Sequence, residues 1–498
     1  MLEVNTTDMG RPVLLSRYFW YLFCLIVLLS FFFLSPWGSP ILNSDGAIEV
    51  LMAYWYRLPN DLYYWGQDRG GSLVPMLASF PVQRFGVDPL LAVSVVRYLL
   101  MIVGIFGGYF RLLKEARLRF IFCIAFFLPA FHFSDLTWYT IGIEYSLIGI
   151  QLALYRGLLE VVQDGKRMTT VGLLVGILIM NLVTLWVSDA ALLPLLLLVL
   201  FFLVHSFAYR SEKPFALMFI LLGGLAAVVL LVGWMKSFAA VRMPGYTAFN
   251  GPTEIASAFG QFRISVFQYL GFQLGDPLLS LTSWAWLILL GYVLALLFIH
   301  RPRKKTLLSF QFFFLINAFL LVLMLFCSRW VLINGVSRRY FIGVYLSLTL
   351  SVLLWLQDAA SLPALRRRRI VRIAFFTVLL GAFSTFYHFI RVDPGSLRSM
   401  RSVVKAIPVD SGIIGSYWNS YIFSMNNPGR IIATPHEQEL VRNKTLALEV
   451  FRQPRLLLVR DQWMEKFPDT LMQFGKRLRK SGNERFLAGA YFCEYRIY

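Results

Sequence analysis

The sequence predicts an α-helical polytopic membrane protein with about 11 transmembrane helices, followed by a small C-terminal extracytoplasmic α/β domain. Three observations carry this expectation. The 498 residues are 58% hydrophobic and 15% charged, with mean hydropathy +0.65, more apolar surface than a soluble chain of this length hides in cores. Apolar runs long enough to cross a hydrocarbon core recur along the first four fifths of the chain, each ended by charge, Pro or Gly. Lys and Arg alternate between rich and poor in successive connections.

Taken in order, the expected spans lie near 18–36, 89–110, 120–134, 141–156, 170–187, 190–207, 215–235, 280–299, 306–326, 340–356 and 373–390. The segments 1–17, 111–119, 156–169, 208–214, 300–305 and 357–372 hold 20 Lys and Arg in 69 residues, including Arg366-Arg367-Arg368-Arg369. The intervening connections are longer in total and hold nine. Positive residues are retained on the cytoplasmic side, so the amino terminus is expected there and the carboxyl-terminal region outside, in the cytoplasmic (inner) membrane of the cell. The first run is long and ends in Ser35-Pro36-Trp37-Gly38, a poor cleavage site, which favours an anchor over a signal peptide.

The net charge of +20 follows from this bias and a basic tail. It implies anionic membrane lipid as a partner and no nucleic acid. Cys24, Cys123, Cys327 and Cys493 suggest no disulfide framework, and the five His residues show no metal-site spacing. No cofactor is called for. A divalent cation bridging carboxylates and a phosphate is compatible with the chain, but no ligand set is legible.

The expected organisation is a transmembrane module, 1–390, with long external loops at 37–88 and 236–279, and an extracytoplasmic α/β domain, 391–498. In that domain Gly412–Tyr417, Arg430–Ala433 and Arg455–Val459 read as strands, Trp463–Leu478 as an amphipathic helix and Phe486–Tyr498 as a closing hairpin.

Chemistry-bearing residues gather in the external segments. Asp45 and Glu49 stand four apart just after the first span, so on a helix they share a face and can point two carboxylates at one cleft, unless Asp45 is simply an N-cap. The stretch Tyr63-Tyr64-Trp65-Gly66-Gln67-Asp68-Arg69-Gly70-Gly71-Ser72 is composed like a carbohydrate site. There Tyr64 and Trp65 would stack on sugar faces, Gln67 and Arg69 fix hydroxyls, and Asp68 adds a carboxylate. An interfacial aromatic belt would account for the rings alone. Arg97 and Glu144 lie inside spans, where charge faces a cavity or a partner; they join the candidates, or pair with each other. Before the tenth span stand Arg329, Arg338, Arg339 and Tyr340, on the side where positive charge is disfavoured. Guanidinium binds phosphate through forked hydrogen bonds, so an anionic ligand accounts for these arginines; headgroup snorkelling is the alternative.

With Asp45 early in a long first loop, Tyr64–Gly71 behind it, Arg338-Arg339-Tyr340 late in the bundle and an external terminal domain, the chain resembles the GT-C superfamily of membrane glycosyltransferases. That superfamily includes protein O-mannosyltransferases and lipid A aminoarabinose transferases. The resemblance implies a polyprenyl-phosphate-linked sugar donor and a hydroxyl acceptor on a glycan, lipid or protein. It implies that Asp45 activates the acceptor and that Arg338 or Arg339 holds the carrier phosphate, with Asp68 and Glu144 as weaker matches. Gly46 follows Asp45, so the Asp-Glu pair of the protein O-mannosyltransferases is missing, and Tyr417-Trp418-Asn419 only loosely echoes the Trp-Trp-Asp of oligosaccharyltransferases. The roles also suit the residues themselves, since a hydroxyl nucleophile needs a base and a departing phosphate needs fixed positive charge. A glycan ligase, and a transporter or flippase of a lipid or sugar, are the competing expectations.

Overall fold

The protein, seen here as a computed structural model, is described over residues 12–39, 43–163, 167–208, 214–239, 241, 248–299, 309–358, 363–392, 407–425, 427–461, 463–487 and 490–498. Its first part is a helical bundle: α1 Pro12–Leu34, α2 Ser44–Trp55, α3 Leu73–Phe85, α4 Pro89–Gly104, α5 Ala116–Phe127, α6 Thr140–Gln163, α7 Arg167–Val187, α8 Leu192–Ala208, α9 Pro214–Met235, α10 Pro252–Leu270, α11 Pro277–Ile299, α12 Phe310–Cys327, α13 Ile342–Asp358 and α14 Ala364–Ile390. Among the described residues nine helices are long and apolar enough to cross a membrane, with α1 a shorter apolar helix over Tyr18–Leu34. This is a multi-pass membrane protein, and the expected fold class is borne out with the count of 11 as an approximation.

The third expected span needs correction. Its helix stops at Phe127 and bends by 87° into a 3-10 turn, Phe131–Thr137. Pro129 is the physical cause, because its ring disfavours helical backbone in the residue before it. The expected start of the ninth span, 306–308, lies outside the described residues, as does 242–247 in the second long loop; most of the rest of that loop is α10.

Helix α13 is the central column. In the span containing it 83% of the apolar stretch is buried, against 28% in Phe215–Phe238, whose outer face is left to lipid. Polar side chains bridge helices where no water competes: Asn317 Nδ2 donates to Ser347 Oγ at 2.9 Å and Gln151 Nε2 to Asn181 Oδ1 at 2.8 Å. Helices α4 and α6 touch backbone to backbone, and a Cβ on Gly108, in the π turn that continues α4, would collide with Gly149.

The bundle has two chemically distinct ends. At one end the basic connections interlock: Arg367 pairs with Glu115 and donates Nε to Leu356 O at 2.8 Å, and Gln357 Nε2 donates to Leu112 O at 3.2 Å. At the other end lie α2, the 131–139 turn, the 328–341 turn and the C-terminal region.

That region forms a mixed seven-stranded sheet with order β2-β1-β3-β7-β5-β4 and β6 beside β7. Strands β1 Ser411–Gly415, β2 Ile431–Pro435 and β3 Arg455–Arg460 are parallel; β4 Thr470–Gln473, β5 Lys476–Lys480, β6 Arg485–Leu487 and β7 Ala490–Ile497 pair antiparallel. Helix α15, Tyr417–Met425, connects β1 to β2 and packs on α2. The expected helix Trp463–Leu478 is instead a loop and the β4–β5 hairpin. Phe474 and Gly475 take φ of 50° and 73°, the two positive values that a tight two-residue hairpin turn requires. Tyr417, expected at a strand end, opens α15.

Candidate functional site

Helix α2 starts where Asn43 Oδ1 accepts the Gly46 N–H at 2.8 Å. Asn43 is therefore the cap, and Asp45 is released from that role. The Asp45 carboxylate, 35% exposed, accepts a hydrogen bond from the Tyr417 hydroxyl at 2.6 Å and lies 3.9 Å from Arg442 Nη2. Both partners come from the C-terminal region.

One turn further along, Glu49 is 2% exposed and both its oxygens are engaged. Tyr64 OH donates to Oε1 at 2.6 Å, and Arg97 Nη2 pairs with Oε2. Arg97, itself 1% exposed, also donates Nη1 to Tyr139 O at 2.7 Å. The alternative pairing of Arg97 with Glu144 is not formed; Arg97 pairs with Glu49 instead. Glu144 is buried elsewhere, beside Ser188.

The aromatic stretch of the first loop divides in two. Tyr64 and Trp65 are buried, Trp65 donating Nε1 to Asp61 Oδ1 at 2.8 Å, and burial pushes the Asp61 carboxyl above its ordinary range. Gln67, Asp68 and Arg69 remain partly exposed: Arg69 Nε donates to Gln67 Oε1 at 3.1 Å, and its guanidinium lies 4.7 Å from the Trp330 ring. Asp68 and Arg69 both act electrostatically on Asp189, which pairs with Lys236 at 2.5 Å. Sequence composition grouped these residues as one sugar platform. The folded loop separates buried supports from open polar groups.

Arg338 and Arg339 open a 3-10 turn, Arg338–Phe341, that packs on the 131–137 turn, and they diverge. Arg338 donates Nη1 to Tyr269 OH at 3.1 Å and lies 5.1 Å from the Phe131 ring. It stands on a groove of about 700 Å³ between α10, α11 and α13, lined by Phe262, Tyr269, Trp286, Leu290, Val344 and Leu348 among others. Among the described lining residues Arg338 is the one permanent charge. Arg339 turns the other way, donating to Tyr340 OH at 3.1 Å and lying 5.8 Å from the Tyr139 ring. The Tyr139 phenol is within electrostatic reach of Asp45, Asp135 and Arg339. The site therefore runs from Asp45 past Tyr139 and Arg339 to Arg338 and the groove. Among the described residues no three His, Cys, Asp or Glu are grouped to hold a metal ion.

Two residues here were outside the sequence reading of the site. Arg442 donates to Tyr417 OH from Nη2 at 3.1 Å and Nε at 3.3 Å, and from Nη1 to Gly66 O at 3.2 Å. The one signal in the sequence was the Tyr417-Trp418-Asn419 echo.

No protein-family model matches the sequence, and no curated protein matches it. Among solved structures the chain is similar to ArnT from Cupriavidus metallidurans in the apo state, with TM-score 0.53 at 11% identity over 96% of this chain and 98% of that one. It is also similar to ArnT from the same organism bound to undecaprenyl phosphate, with TM-score 0.56 at 11% identity over 98% of each chain. The likeness runs through bundle and terminal sheet alike, so this chain has the ArnT fold, and the resemblance read from Asp45, Tyr64–Gly71 and Arg338–Tyr340 is borne out at the level of fold.

Proposed function

We propose that the chain is a glycosyltransferase that moves a sugar from a polyprenyl-phosphate carrier to a hydroxyl acceptor at the outer face of the cytoplasmic membrane, with inversion. The observation that carries this reading is Arg338 on an otherwise uncharged, largely apolar groove of about 700 Å³, the shape and charge that suit a lipid phosphate. A fold shared with a protein that binds undecaprenyl phosphate supports it. In this reading the acceptor oxygen attacks the anomeric carbon, its proton passes to Asp45, and the bond to the carrier phosphate breaks with its electron pair kept by the phosphate beside Arg338. Arg339 and Tyr340 border the sugar, and Gln67, Asp68 and Arg69 border the acceptor. Glu49, Arg97, Tyr64 and Trp65 hold this arrangement from behind.

Undecaprenyl phosphate binding to the purified full-length protein tests the assignment. Arg338→Ala and Arg338→Lys are both expected to weaken it about ten- to a hundredfold, since Lys keeps the charge and loses the planar fork. Arg339→Lys is expected to be nearly silent. Equal tolerance at both positions would make the pair a headgroup anchor. The orientation rests on the basic end of the bundle around Arg367 and on Tyr417 sharing the opposite end with Asp45. A reporter fused after Tyr498 is expected to be active only outside the cytoplasm, and cytoplasmic activity there would overturn the orientation.

A further inference from the structure

We infer that the C-terminal region completes the active centre, with Tyr417, itself held by Arg442, acting as the positioning residue for the Asp45 carboxylate. The inference rests on the reading of Asp45 as the base and adds the group that orients it. Three features of the contact carry it.

Tyr417 is fixed on every side. Its backbone N–H is donated to Glu439, its backbone carbonyl accepts from Ser44 Oγ, and its ring packs edge-on against Trp418 and Tyr421 with centroids 5.1 and 5.9 Å away. A side chain anchored this way carries little freedom, so its hydroxyl defines a point in space. That point lies 2.6 Å from Asp45 Oδ1. Burial first, then the nearby Asp45 carboxylate, raise the phenol far above its ordinary range, so the hydroxyl keeps its proton and donates.

Arg442 ties the same hydroxyl to the first loop. It donates to Tyr417 OH and, across the junction, to Gly66 O at 3.2 Å. Gly66 has φ of +69°, and a Cβ there would come within 2.7 Å of Arg442 Cδ, so the close approach needs glycine. Backbone from the carbohydrate-like stretch and the base from α2 are thus referred to one guanidinium. Tyr139 and Tyr64 are also within electrostatic reach of Asp45, but each has another partner: Tyr64 donates to Glu49, and the Tyr139 ring lies 5.8 Å from the Arg339 guanidinium.

The chain of contacts ends on Asp45, the exposed carboxylate of α2, and leaves buried Glu49 alone. A purely structural tie between the two regions has no need of that choice, because α15 already packs along α2 and Gly429 sits against Tyr54.

Tyr417→Phe keeps the ring and removes only the donor. Membranes from cells carrying the full-length variant as their only copy contain the native acceptor, so discharge of a pulse-labelled polyprenyl-phosphate sugar reads transfer directly. Tyr417→Phe is expected to slow discharge about 10- to 100-fold, the cost of a misplaced catalytic group, while the purified variant binds undecaprenyl phosphate within about twofold of wild type. In an Asp45→Asn background the same change is expected to add nothing, because the group it positions is gone. Arg442→Lys, a second variant, is expected to fall between wild type and Tyr417→Phe. Full discharge by Tyr417→Phe beside a dead Asp45→Asn would overturn this inference and leave the base intact. A slowing that multiplies with Asp45→Asn, or lost undecaprenyl phosphate binding, would make Tyr417 a structural tie and also overturn it. Normal discharge by Asp45→Asn alone would remove the base assignment and this inference with it.

Discussion

Asp45 and Glu49 are one helical turn apart on α2 and live in opposite surroundings. Glu49 is 2% exposed and closed in by Arg97 and Tyr64, whereas Asp45 is 35% exposed and meets a single short hydrogen bond from Tyr417. The difference separates two uses of charge at a membrane surface. A carboxylate with both oxygens engaged and 2% exposed joins α2 to α4 and is closed off from a substrate. A carboxylate held at one oxygen and open to solvent can take a proton. Intramembrane charge is thus a pointer to the site's supports as much as to its chemistry.

The largest effect is expected at Asp45. Asp45→Asn preserves volume and removes proton affinity, so transfer should fall about 10²- to 10⁴-fold with thermal stability unchanged. Near-normal turnover would erase the contrast with Glu49. At the buried pair the readout reverses. Arg97→Ala strands an uncompensated buried carboxylate, and unfolding in detergent should show a loss of about 3–5 kcal/mol, whatever happens to activity. Replacing both partners together, Glu49→Leu with Arg97→Met, should be the mildest change for stability, near neutral, because two desolvation penalties vanish with the attraction. A double variant as unstable as the single one would mean that the pair contributes more than its charges.

Much of the fold was legible because bilayer thickness imposes apolar length, and lipid exposure imposes composition. The break of α5 was legible too, in Pro129, but an apolar run masks a proline when hydropathy alone is summed. The 470–480 segment was misread because Leu471, Leu478 and the basic residues between them satisfy a loose helical stripe. Gly475 marks the turn that alternation in Lys476–Lys480 confirms.

At the site the sequence gathered Asp45, Arg338 and Arg339 from charge on the unfavoured side and from resemblance. It read Arg97 and Glu144 as site candidates or as each other's partner, since both are intramembrane, and had no means of seeing Glu49 reach 48 residues along the chain to Arg97. Arg442 was beyond reach, and Tyr417 was visible only as a loose motif echo, for the same reason at larger scale: the Tyr417–Asp45 bond spans 372 residues. A phenol and a guanidinium in a terminal α/β region carry no periodicity that ties them to a helix cap near residue 43.

A chain that discharges a polyprenyl-phosphate-linked sugar must keep the pool of that lipid low. Mass spectrometry of lipid extracted from cells lacking the protein measures that pool. A polyprenyl-phosphate sugar absent or scarce in wild-type cells should accumulate, and restoring the wild-type chain, but not Asp45→Asn, should clear it. An unchanged pool of lipid-linked sugar, with polyprenyl carriers at wild-type levels, would mean that the chain does not consume such a donor.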